Sequence, residues 1–183
     1  MAMPDPGTAE ATLMKHLWAP WRLAYVAAAP KSPAPTDGCF ICDGLASADD
    51  RKHLIVLRTP HSVVVLNKFP YNSGHLLVAP CAHKGRLADL DATELLDGQE
   101  TLRRMVAVLD ELLHPDGYNI GVNLGRAAGA GLPGHLHWHI VPRWDGDTNF
   151  MPVLGDVKVM VQSLDALFDL VTRKVQFASS DAG

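Results

Sequence analysis

The sequence predicts an α+β fold, an antiparallel sheet of about five strands covered by a long central helix and a C-terminal helix. Three observations predict it. Short runs rich in Val, Ile and Leu at His53–Arg58, Ser62–Asn67 and His75–Ala79 are separated by turn signals, Thr59-Pro60 and then Pro70-Tyr71-Asn72-Ser73-Gly74. Apolar residues from Leu95 to Leu113 recur at helical spacing. In His135-Leu136-His137-Trp138-His139-Ile140-Val141, histidine and apolar residues alternate with a strict period of two. Such alternation predicts a strand with imidazoles on one face and core-formers on the other.

Taken in order, residues 1–16 are expected to be flexible, with a globular domain over 17–177 and a flexible tail over 178–183. Leu17 to Ala29 is helix-compatible, Pro20 lying near its start. Lys31 to Gly38 is a linker by its Pro and small-residue content, and it delivers the chain to Cys39. The three strand candidates follow, with connections short enough for antiparallel neighbours. The clearest helix runs from about Ala92 to Leu113. Asp91 with Glu94 three residues on reads as an N-cap and its capping-box partner, and Pro115-Asp116-Gly117 stops it. Tyr118–Leu124 and the histidine strand complete the sheet. Val157–Met160 is extended and Leu164–Phe177 helical.

With 183 residues, 48% hydrophobic and 20% charged, the chain buries an adequate core. A net charge of −4 without a long basic run argues against nucleic-acid binding by charge. No apolar stretch approaches the roughly 20 residues of a membrane span, and no signal-peptide pattern opens the chain. A cytoplasmic protein is expected. Three cysteines do not make a disulfide framework. In a reducing compartment the Cys39-x-x-Cys42 pair points to metal binding or redox chemistry, and no thioredoxin-like βαβ pattern surrounds it. Zinc needs four ligands, so two more are required.

The chemistry centres on the histidine strand. A neutral imidazole is a nitrogen nucleophile near neutral pH, provided one ring nitrogen is protonated and held. The glycine-rich run Gly125–Gly134 leads into this strand, and glycines let backbone N–H groups approach an anion.

His-x-His-x-His followed by two apolar residues resembles the signature of the histidine-triad (HIT) superfamily of nucleotidyl hydrolases and transferases. The resemblance spans about Trp18 to Val159. Leu17-Trp18-Ala19-Pro20-Trp21-Arg22, Asn123-Leu124-Gly125 and the His135–Trp144 stretch are most similar to the bacterial branch that includes diadenosine tetraphosphate phosphorylase. The resemblance implies a HIT-like fold, usually as a homodimer. It implies His137 as nucleophile, oriented by the His135 carbonyl, and His139 as the group that contacts phosphate and assists the leaving group. Asn123 matches a phosphate contact, Asn67 a ribose contact, and the amides from Ala128 through Gly129 and Ala130 to Gly131 would hold phosphate oxygens. Many relatives carry a Gln, Ser or Thr side chain in that loop, whereas Ala130 and Gly131 offer only backbone. The resemblance also implies that His83 and His135 complete a structural zinc site with Cys39 and Cys42. His53 is a rival ligand, and no organic cofactor is implied.

The other readings of individual residues stay open at this level. Asn67 also reads as a turn cap, His75 as a structural hydrogen bonder, Lys68 as a solvated lysine, and Arg22 and Arg143 as polyphosphate contacts or salt-bridge partners. Phe40, Ile41, Val65 and Trp144 fit a purine pocket or ordinary packing; Asn149 is a weak candidate contact. The implied activity is cleavage of a nucleoside polyphosphate, such as diadenosine tetraphosphate, through an AMP-histidine, with inorganic phosphate or water as acceptor. The alternatives are hydrolysis of adenosine phosphoramidates and a nucleotide-binding interaction module without turnover.

Overall fold

A computed structural model describes residues 38–147, 160 and 162–180. The helix expected over 17–29, the linker, Asn149 and most of the segment 157–160 lie outside them. Five strands, β1 (Ile55–Arg58), β2 (Ser62–Leu66), β3 (Leu76–Pro80), β4 (Gly117–Val122) and β5 (Trp138–Arg143), form one sheet in the order β1-β2-β3-β5-β4. Every neighbouring pair is antiparallel. Three helices accompany it: α1 (Phe40–Ala46), α2 (Ala92–Leu113) and α3 (Leu164–Ser180).

The two faces of the sheet do different work. Val64, Leu66, Leu76, Val78, Trp138 and Ile140 point to one face, where they pack with Met105 and Leu109 of α2 and Phe168 and Val171 of α3. The alternate residues Val63, Val65, Leu77 and Ala79 point the other way and form a smaller cluster with Ile41 of α1. In the antiparallel register, Leu77 stands opposite His139. The histidines therefore share the face of the smaller cluster, away from α2.

Helix α2 spans the predicted residues, and its capping box is formed: Asp91 Oδ1 accepts from the Glu94 amide, and Glu94 Oε2 accepts from the Asp91 amide, both at 2.9 Å. Lys84 extends the box, donating to both Glu94 oxygens at 2.8 and 2.6 Å. That ion pair holds the segment after β3 against the start of α2.

One expectation is corrected and one element is new. The regular strand begins at Trp138, so His135, Leu136 and His137 precede the ladder. The Leu136 amide donates to the Lys84 carbonyl at 2.7 Å instead of to a strand partner. The alternation survives because extended backbone alternates with or without a ladder. Residues 40–46, which carry no helical period long enough to register, form α1, with the Cys39 side chain at its N-cap accepting from the Cys42 amide.

Candidate active site and metal cluster

His137 is buried, and its Nδ1 lies 2.8 Å from the carbonyl oxygen of His135. A carbonyl only accepts, so Nδ1 carries the proton and Nε2 holds the lone pair. That is the tautomer a nitrogen nucleophile requires.

The His139 ring follows, its centroid 5.1 Å from that of His137. Its tautomer is set by a chain of hydrogen bonds that begins in the backbone. The Tyr71 amide donates to His75 Nδ1 at 3.0 Å, and a backbone N–H cannot accept. Neutral His75 therefore has its proton on Nε2, which lies 2.9 Å from His139 Nδ1. Donation across that contact leaves the His139 proton on Nε2. This nitrogen lies 3.5 Å from Asn123 Nδ2, itself a donor, so in this tautomer the two do not bond to each other and both direct N–H groups at the same space. His137 and His139 thus carry opposite tautomers, one offering a lone pair and the other an N–H. Burial pushes the His139 imidazole below its ordinary pKa, and the nearby His137 adds to the effect. His139 is therefore neutral at pH 7.

His75 is fully buried. The sequence marked it as a structural hydrogen bonder, and its bond to His139 was not legible because 64 residues separate them. Tyr71 stacks on His139 with 15° between the rings and 5.8 Å between centroids. The Asn67 amide is held at both ends: Oδ1 accepts from the Phe69 amide at 2.9 Å, and Nδ2 lies 3.2 Å from His75 Nδ1.

The glycine loop differs from its expected form. Arg126–Ala128 is a 3-10 turn framed by Gly125 and Gly129, whose φ of 79° and 89° favour glycine. The Ala128 and Ala130 amides donate to the Gly125 carbonyl, and the Gly129 amide to that of Arg126. Three of the four expected phosphate-binding amides are therefore engaged inside the loop. Gly131 is exposed and, among the described residues, its amide has no internal acceptor.

A cleft of about 330 Å³ is lined by Phe40, Lys52, His53, Val65, Asn67, Phe69 and Leu77 among others; Leu77 is the β3 residue that stands opposite His139. Of the four purine-pocket candidates, Phe40 and Val65 line it, Ile41 is core and Trp144 lies elsewhere. Lys68 is exposed at its rim. Arg143 is engaged by both carboxylate oxygens of Asp147, at 2.6 and 2.8 Å, and by Asn119 Oδ1 at 2.7 Å, so the salt-bridge reading holds for it. Arg22 lies outside the described residues.

Across the triad from His139, Cys39, Cys42, His83 and His135 bring one ligand atom each to within 4.8 Å of one another. His135 Nδ1 is 3.2 Å from Cys39 Sγ and 3.5 Å from Cys42 Sγ, and His83 Nδ1 is 3.2 Å from Cys42 Sγ. Zinc–sulfur and zinc–nitrogen bonds of about 2.3 and 2.0 Å give tetrahedral edges of roughly 3.3–3.8 Å. The three nitrogen–sulfur distances, 3.2 to 3.5 Å, are close to that size, while the group as a whole spans up to 4.8 Å. The His135 ring also fits: its Nε2–H donates to the Pro80 carbonyl at 2.8 Å, leaving Nδ1 unprotonated toward the thiols. His53 is not among these four. Burial, with help from Cys39, pushes the Cys42 thiol up to about 11, so a bound metal must displace its proton.

The HIT domain family model matches residues 49–146. An AP-4-A phosphorylase of Mycobacterium tuberculosis is 36% identical over 163 residues, covering 87% of this chain and 84% of its own. A Schizosaccharomyces pombe bis(5'-nucleosyl)-tetraphosphatase (asymmetrical) is 36% identical over 93 residues, 51% of this chain and 50% of its own. Among solved structures, a Zn-bound histidine triad family protein from Mycobacterium smegmatis superposes with a TM-score of 0.60 at 23% identity, covering 79% of this chain and 97% of its own.

Proposed function

The chain belongs to the HIT domain family, and from that premise we propose that it cleaves a nucleoside polyphosphate, diadenosine tetraphosphate first among them, through an AMP–His137 intermediate. The observation that carries this reading is the pair of opposed tautomers at His137 and His139. The two named relatives, a phosphorylase and a tetraphosphatase, support the substrate class.

The first step is in-line attack of His137 Nε2 on the α-phosphorus. A P–N bond forms, the P–O bond to the polyphosphate breaks, and its electron pair leaves on oxygen. The His139 Nε2–H donates a hydrogen bond to phosphate or leaving oxygens as charge develops there. A polyphosphate is a stable anion and needs no full proton, which suits a neutral His139. The positive charge that develops on the His137 ring as the P–N bond forms is stabilised through Nδ1–H by the His135 carbonyl. In the second step phosphate or water attacks the same phosphorus, the P–N bond breaks, and His137 regains its lone pair. Asn67 and the cleft beside Phe40 and Val65 would take the ribose and base, and Asn123 and Gly131 the α-phosphate.

Cys39, Cys42, His83 and His135 would hold zinc, whose contribution when bound is to tie α1 and the end of β3 to the segment before β5. No helix of the described residues is long and apolar enough to cross a membrane. A homodimer and a cytoplasmic location complete the proposal.

Product analysis with diadenosine tetraphosphate, with and without inorganic phosphate, tests the reaction. Phosphate-dependent ADP plus ATP identifies a phosphorylase; AMP plus ATP regardless of phosphate identifies a hydrolase. Absence of cleavage, with turnover of adenosine phosphoramidates, overturns the polyphosphate reading.

A further inference from the structure

We infer that Gly121 is a specificity-determining residue: its missing side chain leaves open, beside His139 and Asn123, the space that the departing polyphosphate occupies. This rests on the reaction proposed above and specifies which end of the substrate Gly121 admits.

A glycine inside a strand weakens it, and such a glycine usually serves a bulge, a positive φ, tight packing, or the close approach of a ligand or another main chain. Three of these do not apply to Gly121. Strand β4 keeps one register with β5, from Gly117 opposite Arg143 to Val122 opposite Trp138, so there is no bulge. The φ of Gly121 is not positive, unlike those of Gly74, Gly125 and Gly129. Beyond its chain neighbours, a methyl group there would meet no heavy atom of the described residues within 4 Å. On Gly98, by contrast, it would touch Trp138 at 3.6 Å. Approach from outside the chain is the remaining use.

The register identifies what approaches. Gly121 stands directly opposite His139 and so shares the histidine face. Asn123, two residues on, lies on the same face, and its Nδ2 is 3.5 Å from His139 Nε2. Both are donors, and two donors aimed at one space call for an acceptor; an anionic oxygen suits both.

The order of the strands then separates the two ends of the substrate. Strand β5 lies between β3 and β4. On the β3 side, Leu77 lines the cleft assigned to the nucleoside, together with Phe40 and Asn67. On the β4 side, Gly121 is exposed. Neighbouring strands are about 4.8 Å apart, so an α-phosphate over His137 and His139 has its nucleoside over β3 and open space over β4. As the P–O bond breaks, the electron pair goes to the oxygen of the departing group, where His139 and Asn123 donate. The rest of that group extends across Gly121, and a Cβ would stand in its path.

The test compares Gly121→Ala and Gly121→Val with Gly117→Ala, a control that is equally open but lies at the start of β4. Two substrates share the AMP part: diadenosine tetraphosphate, which sheds ATP, and adenosine phosphofluoridate, which sheds a single fluoride. On the tetraphosphate, kcat/KM should fall about 10-fold in Gly121→Ala and about 100-fold in Gly121→Val, the scale of a misplaced reacting group. Both should keep the natural rate on the fluoridate and the natural affinity for AMP by calorimetry. The urea midpoint of Gly121→Ala should rise, as in Gly117→Ala, because alanine restricts the unfolded chain. A more stable protein that is slower on one substrate alone is not a folding defect. Gly117→Ala should keep both rates. Equal losses on the two substrates, or no loss on the tetraphosphate, overturn the inference. A loss accompanied by a changed native mass also overturns it, since a second copy's main chain would then be what covers Gly121. If the natural protein cleaves neither substrate, the proposed reaction falls and this inference with it.

Discussion

The carbonyl oxygen of His135 accepts the Nδ1–H of His137 at 2.8 Å, while the ring of the same His135 turns its own Nδ1 toward Cys39, 3.2 Å away. One residue thus serves two constellations, which face opposite ends of a strand entry. The third histidine is prepared separately, through His75, and receives the complementary tautomer.

His75 is expected to act on chemistry through His139. His75→Gln should lower kcat by on the order of 100-fold, the scale of a lost proton-positioning group. Nucleotide affinity measured by calorimetry should fall far less. A variant with full kcat would remove His75 from the account.

The pH dependence of stability should carry the signature of His139. Its folded-state pKa lies below the ordinary value because burial penalises the charged ring. The unfolded chain therefore binds the proton first as pH falls. The contribution to stability is complete above about pH 6.5 and is lost as pH drops below it, levelling off once the folded ring also protonates. Urea denaturation between pH 7.5 and 5 should show a steeper loss for the natural protein than for His139→Gln. Parallel curves would contradict the assignment. Activity should decline over the same interval, because protonated His139 can no longer accept from His75.

Gly74 precedes His75 with a φ of 79°, and a methyl group there would stand 2.6 Å from Leu113 Cδ1 and 3.0 Å from Pro142 Cγ. Gly74→Ala is expected to cost more than about 1 kcal/mol, from strain and crowding together. Chemical denaturation measures it.

Met105 is fully buried between α2 and the sheet. Met105→Ala should destabilise by about 2–5 kcal/mol, through lost burial and the cavity left behind. Because the triad lies on the other sheet face, the folded fraction should retain its KM.

Much of this was legible in the sequence. The period of Leu102, Met105, Leu109 and Leu113 and the Asp91/Glu94 pair marked α2 to its ends, because a long helix repeats its signal over six turns. Strands β1 to β4 were legible to within two residues at each end, since Val, Ile and Leu runs between turn residues leave few alternatives. The ladder's late start at Trp138 was not, because alternation reports extended backbone and says nothing of its hydrogen-bond partner. Helix α1 was missed for its brevity. The engagement of the Ala128, Gly129 and Ala130 amides within their own loop depends on the dihedrals of Gly125 and Gly129, which composition leaves open. The meeting of Cys39 and Cys42 with His83 and His135, 41 to 96 residues away, entered through family resemblance; spacing alone gave only the cysteine pair.

The central claim is a covalent bond between His137 and AMP. Rapid quenching of enzyme mixed with diadenosine tetraphosphate in the absence of inorganic phosphate, under alkaline conditions that preserve phosphohistidine-type bonds, followed by intact-mass and peptide analysis, tests it directly. The account predicts one added AMP on the peptide carrying His137, absent from His137→Ala, which should also lose at least about 1,000-fold in kcat while still binding nucleotide. Undiminished cleavage by His137→Ala, or an adduct on a different residue, would contradict it.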